Sequence, residues 1–191
     1  MIKSFGVQYA GYIDMQQVGY GGVPVNDRWF PNQRLIEVFT NARDLAQRLE
    51  RLGYDSLWTA EHHFQREGYE CVPNVLLLNV YLATQTNRLR FGCGFNITPM
   101  WHPLRLAEDF AMADILTNGR VIFGVGRGYH TREVETFNAP MRDGEANRCE
   151  YVRRLPSALL SRPQWSIVAP TRESGSAVDR STSRVSQEGI S

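Results

Sequence analysis

Asp55-Ser56-Leu57-Trp58-Thr59, followed by Ala60-Glu61-His62-His63-Phe64, decides how this chain folds. The first five residues are short, apolar and strand-like, and Gly53 just before them is a turn signal. Three titratable side chains then arrive together at the end of the strand. A second stretch repeats the arrangement: Val121-Ile122-Phe123-Gly124-Val125 reads as a buried strand and runs into Gly126-Arg127-Gly128. Polar groups collected at strand C-termini are what a parallel α/β barrel uses to build an active site.

Outward from these two stretches, strand and helix signals alternate. Phe5 to Tyr9 reads as a first strand, followed by a long glycine-rich loop carrying Gly11, Gly19, Gly21 and Gly22. Leu35, Val38, Phe39, Ala42, Leu45, Ala46, Leu49 and Leu52 then recur at three- and four-residue steps, with Arg43, Arg48 and Arg51 on the other face. Asn32 is the expected N-cap of this helix and Gly53 its stop. Pro73 is expected to open a second helix that runs to about Thr86. Leu89 to Phe95 reads as the third strand, with Asn96 at its tip. His102-Pro103 starts a third helix that Asn118-Gly119 ends, and a further helix is expected over Thr131 to Phe137. Four strands separated by three helices is a repeated β/α unit, which predicts a parallel sheet.

Near residue 150 the character changes. Residues 1–152 hold two serines, whereas residues 153–191 hold nine, with six arginines and no Phe or Tyr. The chain therefore divides into a β/α region over 1–150 and a Ser/Arg-rich tail over 151–191, which by composition is disordered or weakly ordered. The shift falls inside the helix-like stretch Glu145 to Val152. That favours a changed reading frame near Arg148 over a natural flexible tail.

A net charge of +1 gives no reason to expect nucleic acid or an anionic membrane as partner. No apolar run approaches the roughly 20 residues that span a bilayer, and the most apolar stretch, Val75 to Leu82, is broken by Asn79. The start lacks the pattern of a signal peptide. Three cysteines without a C-x-x-C spacing point to a reducing cytoplasm.

Adjacent histidines at a strand tip supply a general acid or base near neutral pH. They could also ligate a metal with His102 and His130, but no H-E-x-x-H or C-x-x-C spacing supports this, and no metal is expected. A third reading leaves them bonded and inert. Gly124 to Gly128, before a helix and with an arginine fork, has the makings of a phosphate site. It fails the G-x-G-x-x-G fingerprint, and tight packing explains its glycines equally well. Cys93 reads as a small buried hydrophobe. Trp58, Trp101 and Phe95 either wall a planar ligand or simply belong to the core.

Five stretches in order carry a resemblance: Gly53-Tyr54-Asp55-Ser56-Leu57-Trp58 with Glu61-His62-His63-Phe64, Thr84-Gln85-Thr86-Asn87-Arg88-Leu89-Arg90-Phe91-Gly92, His102-Pro103-Leu104-Arg105-Leu106-Ala107-Glu108-Asp109, and Asn118-Gly119-Arg120 through Gly128. From about Ile2 to Asn147 the chain resembles the bacterial luciferase-like, flavin-dependent monooxygenases. The resemblance implies a TIM-like (β/α)8 barrel that takes reduced FMN as a co-substrate from a separate flavin reductase. Dioxygen would add at the flavin C4a carbon, and a small organic molecule would be oxidised. It further implies that His62 is catalytic and that Glu61, His63, Gly94, Phe95, Asn96, Arg127 and Gly128 bind the cofactor. Arg127 would lie on the phosphate side and the Gly94-Phe95 peptide against the ring. A homo- or heterodimer is among the assemblies it allows.

Such a barrel needs about 250 residues, and the resemblance stops after the fourth strand. The expectation is therefore the first four β/α units of the barrel plus the tail, with activity impaired by truncation. Two other functions fit the same residues: a deazaflavin-dependent hydride transfer, and a non-catalytic fragment that binds flavin or pairs with a homologue.

Overall fold

A computed structural model describes residues 4–13, 29–65 and 67–139. The Gly19–Gly22 part of the first loop and the 151–191 tail, with its supposed change of frame, lie outside the described residues. Along the chain come β1 (Gly6–Tyr9), α1 (Asn32–Arg51), β2 (Ser56–Thr59), α2 (Val75–Thr84), β3 (Arg90–Cys93) and β4 (Asn96–Ile97). A 3-10 turn, Thr98–Met100, leads into α3 (Pro103–Leu116), β5 (Val121–Ile122), β6 (Val125–Gly126) and α4 (Thr131–Thr136).

Four strands make one parallel sheet in the order β1-β2-β3-β5, as the β/α alternation predicts. Gly6 lies opposite Ser56, Ser56 opposite Arg90, and Phe91 opposite Val121, so all four strands end at the same edge. Beyond that edge β4 and β6 pair in parallel as a separate ribbon, Asn96 against Val125. The single strands expected over Leu89–Phe95 and Val121–Val125 are thus each split in two. The breaks fall at Gly94-Phe95, whose peptide is cis, and at Phe123-Gly124. A Cβ on Gly124 would meet the Cys93 carbonyl oxygen at 1.9 Å, so the two chain segments approach there only because residue 124 has no side chain.

Alternate residues of the strands serve opposite faces. Val7, Leu57, Phe91 and Cys93 join Val38, Ala42, Leu78, Leu82, Leu106 and Phe110 in the core between sheet and helices. Phe91 and Phe110 are almost wholly buried, and each such side chain contributes about 1.5–3 kcal/mol. Asn79, the polar break in the α2 run, is also wholly buried. It accepts from Thr59 Oγ1 at 3.0 Å, and its Nδ2 reaches Cys93 Sγ at 3.6 Å, tying α2 to β2 and β3. On the other face Gln8 is exposed and Trp58 half-buried, its ring lying over Gly92.

The helix ends follow local chemistry. Gly53, at φ +84°, closes α1: its N–H bonds Glu50 O and that of Tyr54 bonds Leu49 O. Asn118 and Asn138 end α3 and α4 with the same pair of bonds, their N–H groups reaching Ile115 O and Glu135 O. At the helix starts the expectation needs correction. Pro31, not Asn32, occupies the cap of α1, and Asn32 is already helical. Asn74 caps α2 by accepting from Leu77 N at 2.8 Å, which leaves Pro73 outside the helix; that helix stops at Thr84. α1 thus starts one residue earlier than expected, and α2 two residues later.

The N-terminal edge of the sheet is closed by two charged residues. Arg120 donates to the carbonyls of Thr117, Ala83 and Leu89 and to Thr86 Oγ1, joining the ends of α2 and α3. Glu50 accepts the backbone N–H groups of Asn87, Arg88 and Leu89. Burial pushes the Glu50 carboxyl up, but these three bonds and the nearby Arg88 outweigh it and hold it below the usual carboxylate range. Glu50→Gln keeps the shape, removes the charge, and should lower the unfolding free energy by about 1 kcal/mol near pH 7. Because the folded pKa is depressed, this contribution exists above the unfolded value of 4.5 and disappears as pH falls. Urea unfolding midpoints of the two proteins should therefore converge as the pH is lowered below 4.5.

Candidate functional site

The parallel register delivers Glu61, His62 and His63 to the C-terminal edge of the sheet directly after β2, as read from the sequence. All three are buried. The segment turns back at Phe64 and Glu70, both in the left-handed region at φ +59° and +57°, which costs a residue with a side chain about 1–3 kcal/mol. The turn is held by His62 N bonding Val72 O and by Gly68 O accepting from Ile13 N.

His62 lies between two carboxylates. Its Nδ1 is 3.0 Å from Glu133 Oε1, and its Nε2 is 2.9 Å from Glu70 Oε2. The second contact is an ion pair by distance, and Glu70 Oε2 is buried without a hydrogen bond among the described residues. Burial pulls the His62 pKa down; the Glu133 hydrogen bond, with the close charges of Glu70 and Glu133, overrides it and raises it to about 9. Glu133 moves the opposite way. Burial pushes it up, and the bonds from His62 Nδ1 and His63 N, with the His62 charge, bring it below its ordinary value. Near neutral pH His62 is thus an imidazolium between two anions. The His130 ring stands edge-on to it, centroids 5.1 Å apart, and Tyr129 follows at 6.0 Å.

Glu61 organises the other half of the edge. Its two oxygens take His63 Nε2 and Trp101 Nε1, at 3.0 and 2.9 Å, and Ile97 N and Asn96 Nδ2. Four donors on one wholly buried carboxylate fix the β4 segment and the following turn against β2. The Asn96 side chain is left with a buried Oδ1 that accepts no bond among the described residues. Gly94 and Phe95 are half-buried between β3 and β4.

The glycine-rich stretch serves packing at two points, Gly124 against the Cys93 carbonyl and Gly128 against Ile97, where a Cβ would come within 2.7 Å of Cγ2. Arg127 between them is exposed and makes no ion pair among the described residues. Cys93 is wholly buried, and burial pushes its thiol up, so it is the inert hydrophobe its surroundings predict. Trp101 bonds Glu61, which makes it part of the framework.

His62, His63, Glu61 and Asn96 are brought together, whereas His102 caps α3 and stands outside the cluster. Two members escaped the sequence reading, Glu70 and Glu133. Glu133 is 71 residues from His62, in the first turn of α4, and nothing local marks it. A weak signal for Glu70 existed: Glu61, Glu67 and Glu70 crowd one short loop beside two histidines. Arg132 pairs with Glu67 at 2.8 Å, and Phe137 meets the His63 ring at 4.7 Å, so α4 lies along this loop for its whole length.

The model of the family described as luciferase-like monooxygenase matches residues 15–167, past Asn147 and into the Ser/Arg-rich stretch. The chain is 36% identical over 109 residues to the oxygenase component of the flavin-dependent trigonelline monooxygenase of Acinetobacter baylyi, covering 57% of this chain and 30% of that protein. It is 33% identical over 112 residues to the alkanal monooxygenase alpha chain of Aliivibrio fischeri, covering 59% and 31%. The chain thus spans about a third of the length of these relatives. Among solved structures, the oxygenating constituent of 3,6-diketocamphane monooxygenase from Pseudomonas putida, in complex with FMN, superposes with a TM-score of 0.62 at 21% identity, over 83% of this chain and 38% of that one. Monooxygenase RslO1 from Streptomyces bottropensis gives 0.62 at 24%, over 79% and 41%. These likenesses carry the fold: four β/α units of a barrel. Among the described residues no helix is long and apolar enough to cross a membrane.

The Glu133–His62–Glu70 arrangement has a pH signature. His62, with its pKa raised, adds stability below its unfolded value of 6.5 and loses it as pH climbs through about 9. Glu133, with its pKa lowered, adds stability above 4.5 and loses it as pH falls. Proton NMR of the His62 ring should give a midpoint near 9, and Glu133→Gln should move that midpoint down by at least about one unit, equivalent to 1.4 kcal/mol. An unmoved midpoint would show that the carboxylate does not act on His62.

Proposed function

The chain belongs to the luciferase-like monooxygenase family, and on that premise we propose that it carries the flavin-facing half of an oxygenase site that acts on a small organic substrate. The observation that carries this reading is His62, placed at a strand C-terminus and held as an imidazolium by Glu133 and Glu70.

The residues present fit a flavin. Asn96 Oδ1 is a buried acceptor without a donor, and Arg127 is an exposed cation without a counter-ion among the described residues. The atoms nearest to a Cβ built on Gly94 are those of Trp58 and the Thr59 carbonyl, at 3.5–3.7 Å, so nothing crowds that position. Asn96, the Gly94-Phe95 peptide and Gly128 would hold the ring side, and Arg127 the phosphate. Bound there as reduced FMN, the cofactor supplies electrons to dioxygen.

The chain's own residues then have separable tasks. His62 Nε2 carries the proton that a reacting oxygen needs, which makes His62 a general acid near neutral pH. Glu133 keeps Nδ1–H in place and so fixes the ring's orientation. Glu61 holds His63, Asn96 and Trp101 at the edge of the site and touches neither proton. The trigonelline relative is an oxygenase component, which supports a separate reductase as the source of reduced flavin.

Two measurements test the assignment. His62→Ala should lower substrate-coupled oxygen uptake at least tenfold, about 1.4 kcal/mol of transition-state stabilisation; unchanged turnover with weaker flavin binding would remove His62 from the chemistry. Arg127→Ala should weaken FMN more than riboflavin, which lacks the phosphate that a guanidinium grips. Equal losses would make Arg127 structural. Absorbance and fluorescence of the bound cofactor separate FMN from a deazaflavin, whose reduced form would transfer hydride without oxygen uptake.

A further inference from the structure

We propose that His62, Glu70 and His130 form a binding site for a divalent transition-metal ion of the zinc type. One ligand atom from each residue lies within 4.8 Å of the other two. His62 Nε2 and Glu70 Oε2 stand 2.9 Å apart. Two donors on one ion, each at about 2.0–2.2 Å, are separated by about 2.9–3.4 Å at right-angled to tetrahedral geometry. This edge of the triangle therefore needs almost no adjustment, and the His130 ring, already edge-on to His62 at 5.1 Å, needs a small one.

Two independent features point to an ion. Glu70 Oε2 is buried on a residue that is 8% exposed, faces His62, and accepts no hydrogen bond among the described residues. The second feature is the far side of His62. Its Nδ1 is engaged by Glu133 Oε1 at 3.0 Å, and Glu133 is itself fixed by His63 N at 2.8 Å. A carboxylate on one imidazole nitrogen, fixing the tautomer and aiming the other nitrogen, is the recurring outer shell of histidine metal ligands.

The donor set selects the ion. Two imidazoles and one carboxylate suit Zn²⁺, Co²⁺, Ni²⁺ or Fe²⁺, whereas Mg²⁺ and Ca²⁺ prefer all-oxygen shells. Three protein ligands leave a position open for water. The ion takes His62 Nε2 and releases to solvent the proton that the acid role uses, so a bound ion and catalysis exclude each other. Binding itself stands apart from the monooxygenase reading; only the inhibition that follows rests on it.

The full chain, stripped with a chelator, is titrated with Zn²⁺ by calorimetry and with Co²⁺ by visible absorption. The expected result is one saturable equivalent, visible Co²⁺ bands, and no heat with Mg²⁺. Glu70→Gln and His130→Ala should each weaken Zn²⁺ at least tenfold, Glu133→Gln by about 10–100-fold as an outer-shell change, and His102→Ala not at all. Circular dichroism checks that each variant is folded. X-ray absorption at the zinc edge of the unmutated, loaded protein needs no variant and should count two imidazoles. Absence of a saturable equivalent, affinity that Glu70→Gln and His130→Ala leave intact, or a shell with fewer than two imidazoles would each overturn the site. Binding that passes these tests while Zn²⁺ leaves oxygen uptake unchanged would retain the site and remove the acid role from His62.

Discussion

Glu133 is a carboxylate with 1% of its surface exposed, in the first turn of a helix only six residues long. A charge so placed persists only when its partners are supplied in full, and breaking such a set costs about 3–5 kcal/mol. Among the described residues its hydrogen-bond partners all come from the loop after β2: His62 Nδ1, His63 N and, more distantly, Gln65 Nε2. That requirement docks α4 onto the loop after β2. It also leaves His62 with one nitrogen committed and the other turned toward Glu70 and His130.

The sheet divides the remaining labour between its two edges. At the N-terminal edge, Glu50 and Arg120 spend their charges on backbone groups of the turns leading into β3 and β5. These contacts reach no titratable side chain that could do chemistry, and they serve stability. At the C-terminal edge the charged groups meet one another: Glu61 with His63, Glu70 and Glu133 with His62, Glu67 with Arg132. A parallel sheet makes that separation automatic, because every strand points its C-terminus the same way.

The glycines show why a motif and its role separate. Gly124 admits the Cys93 carbonyl, and Gly128 admits the Ile97 side chain. Both positions would be closed to larger residues with no ligand in view. The same close approach brings Asn96 beside Gly124, through Asn96 N to Gly124 O at 2.9 Å, and leaves Arg127 projecting from the end of the β4–β6 ribbon. Packing alone accounts for the glycines at these two positions.

Periodicity by itself determined the alternation of strands and helices, the parallel sheet, and the delivery of Glu61, His62, His63 and Arg127 to one edge. Those features depend on neighbours three or four residues apart, or on the register that parallel pairing imposes. The helix stops at Gly53 and Asn118 were legible for the same reason, since a left-handed residue is a local event. The starts at Pro31 and Asn74 were misplaced by one or two residues, because proline fits on either side of a cap. Only the tertiary structure decided that His62 has two carboxylate neighbours, that Glu61 is consumed by four donors, and that His130, not His102, joins the cluster. Glu133 and His62 are 71 residues apart, and no period in a chain encodes a contact across that distance. The partner of a buried charge is chosen by which elements the sheet order brings face to face.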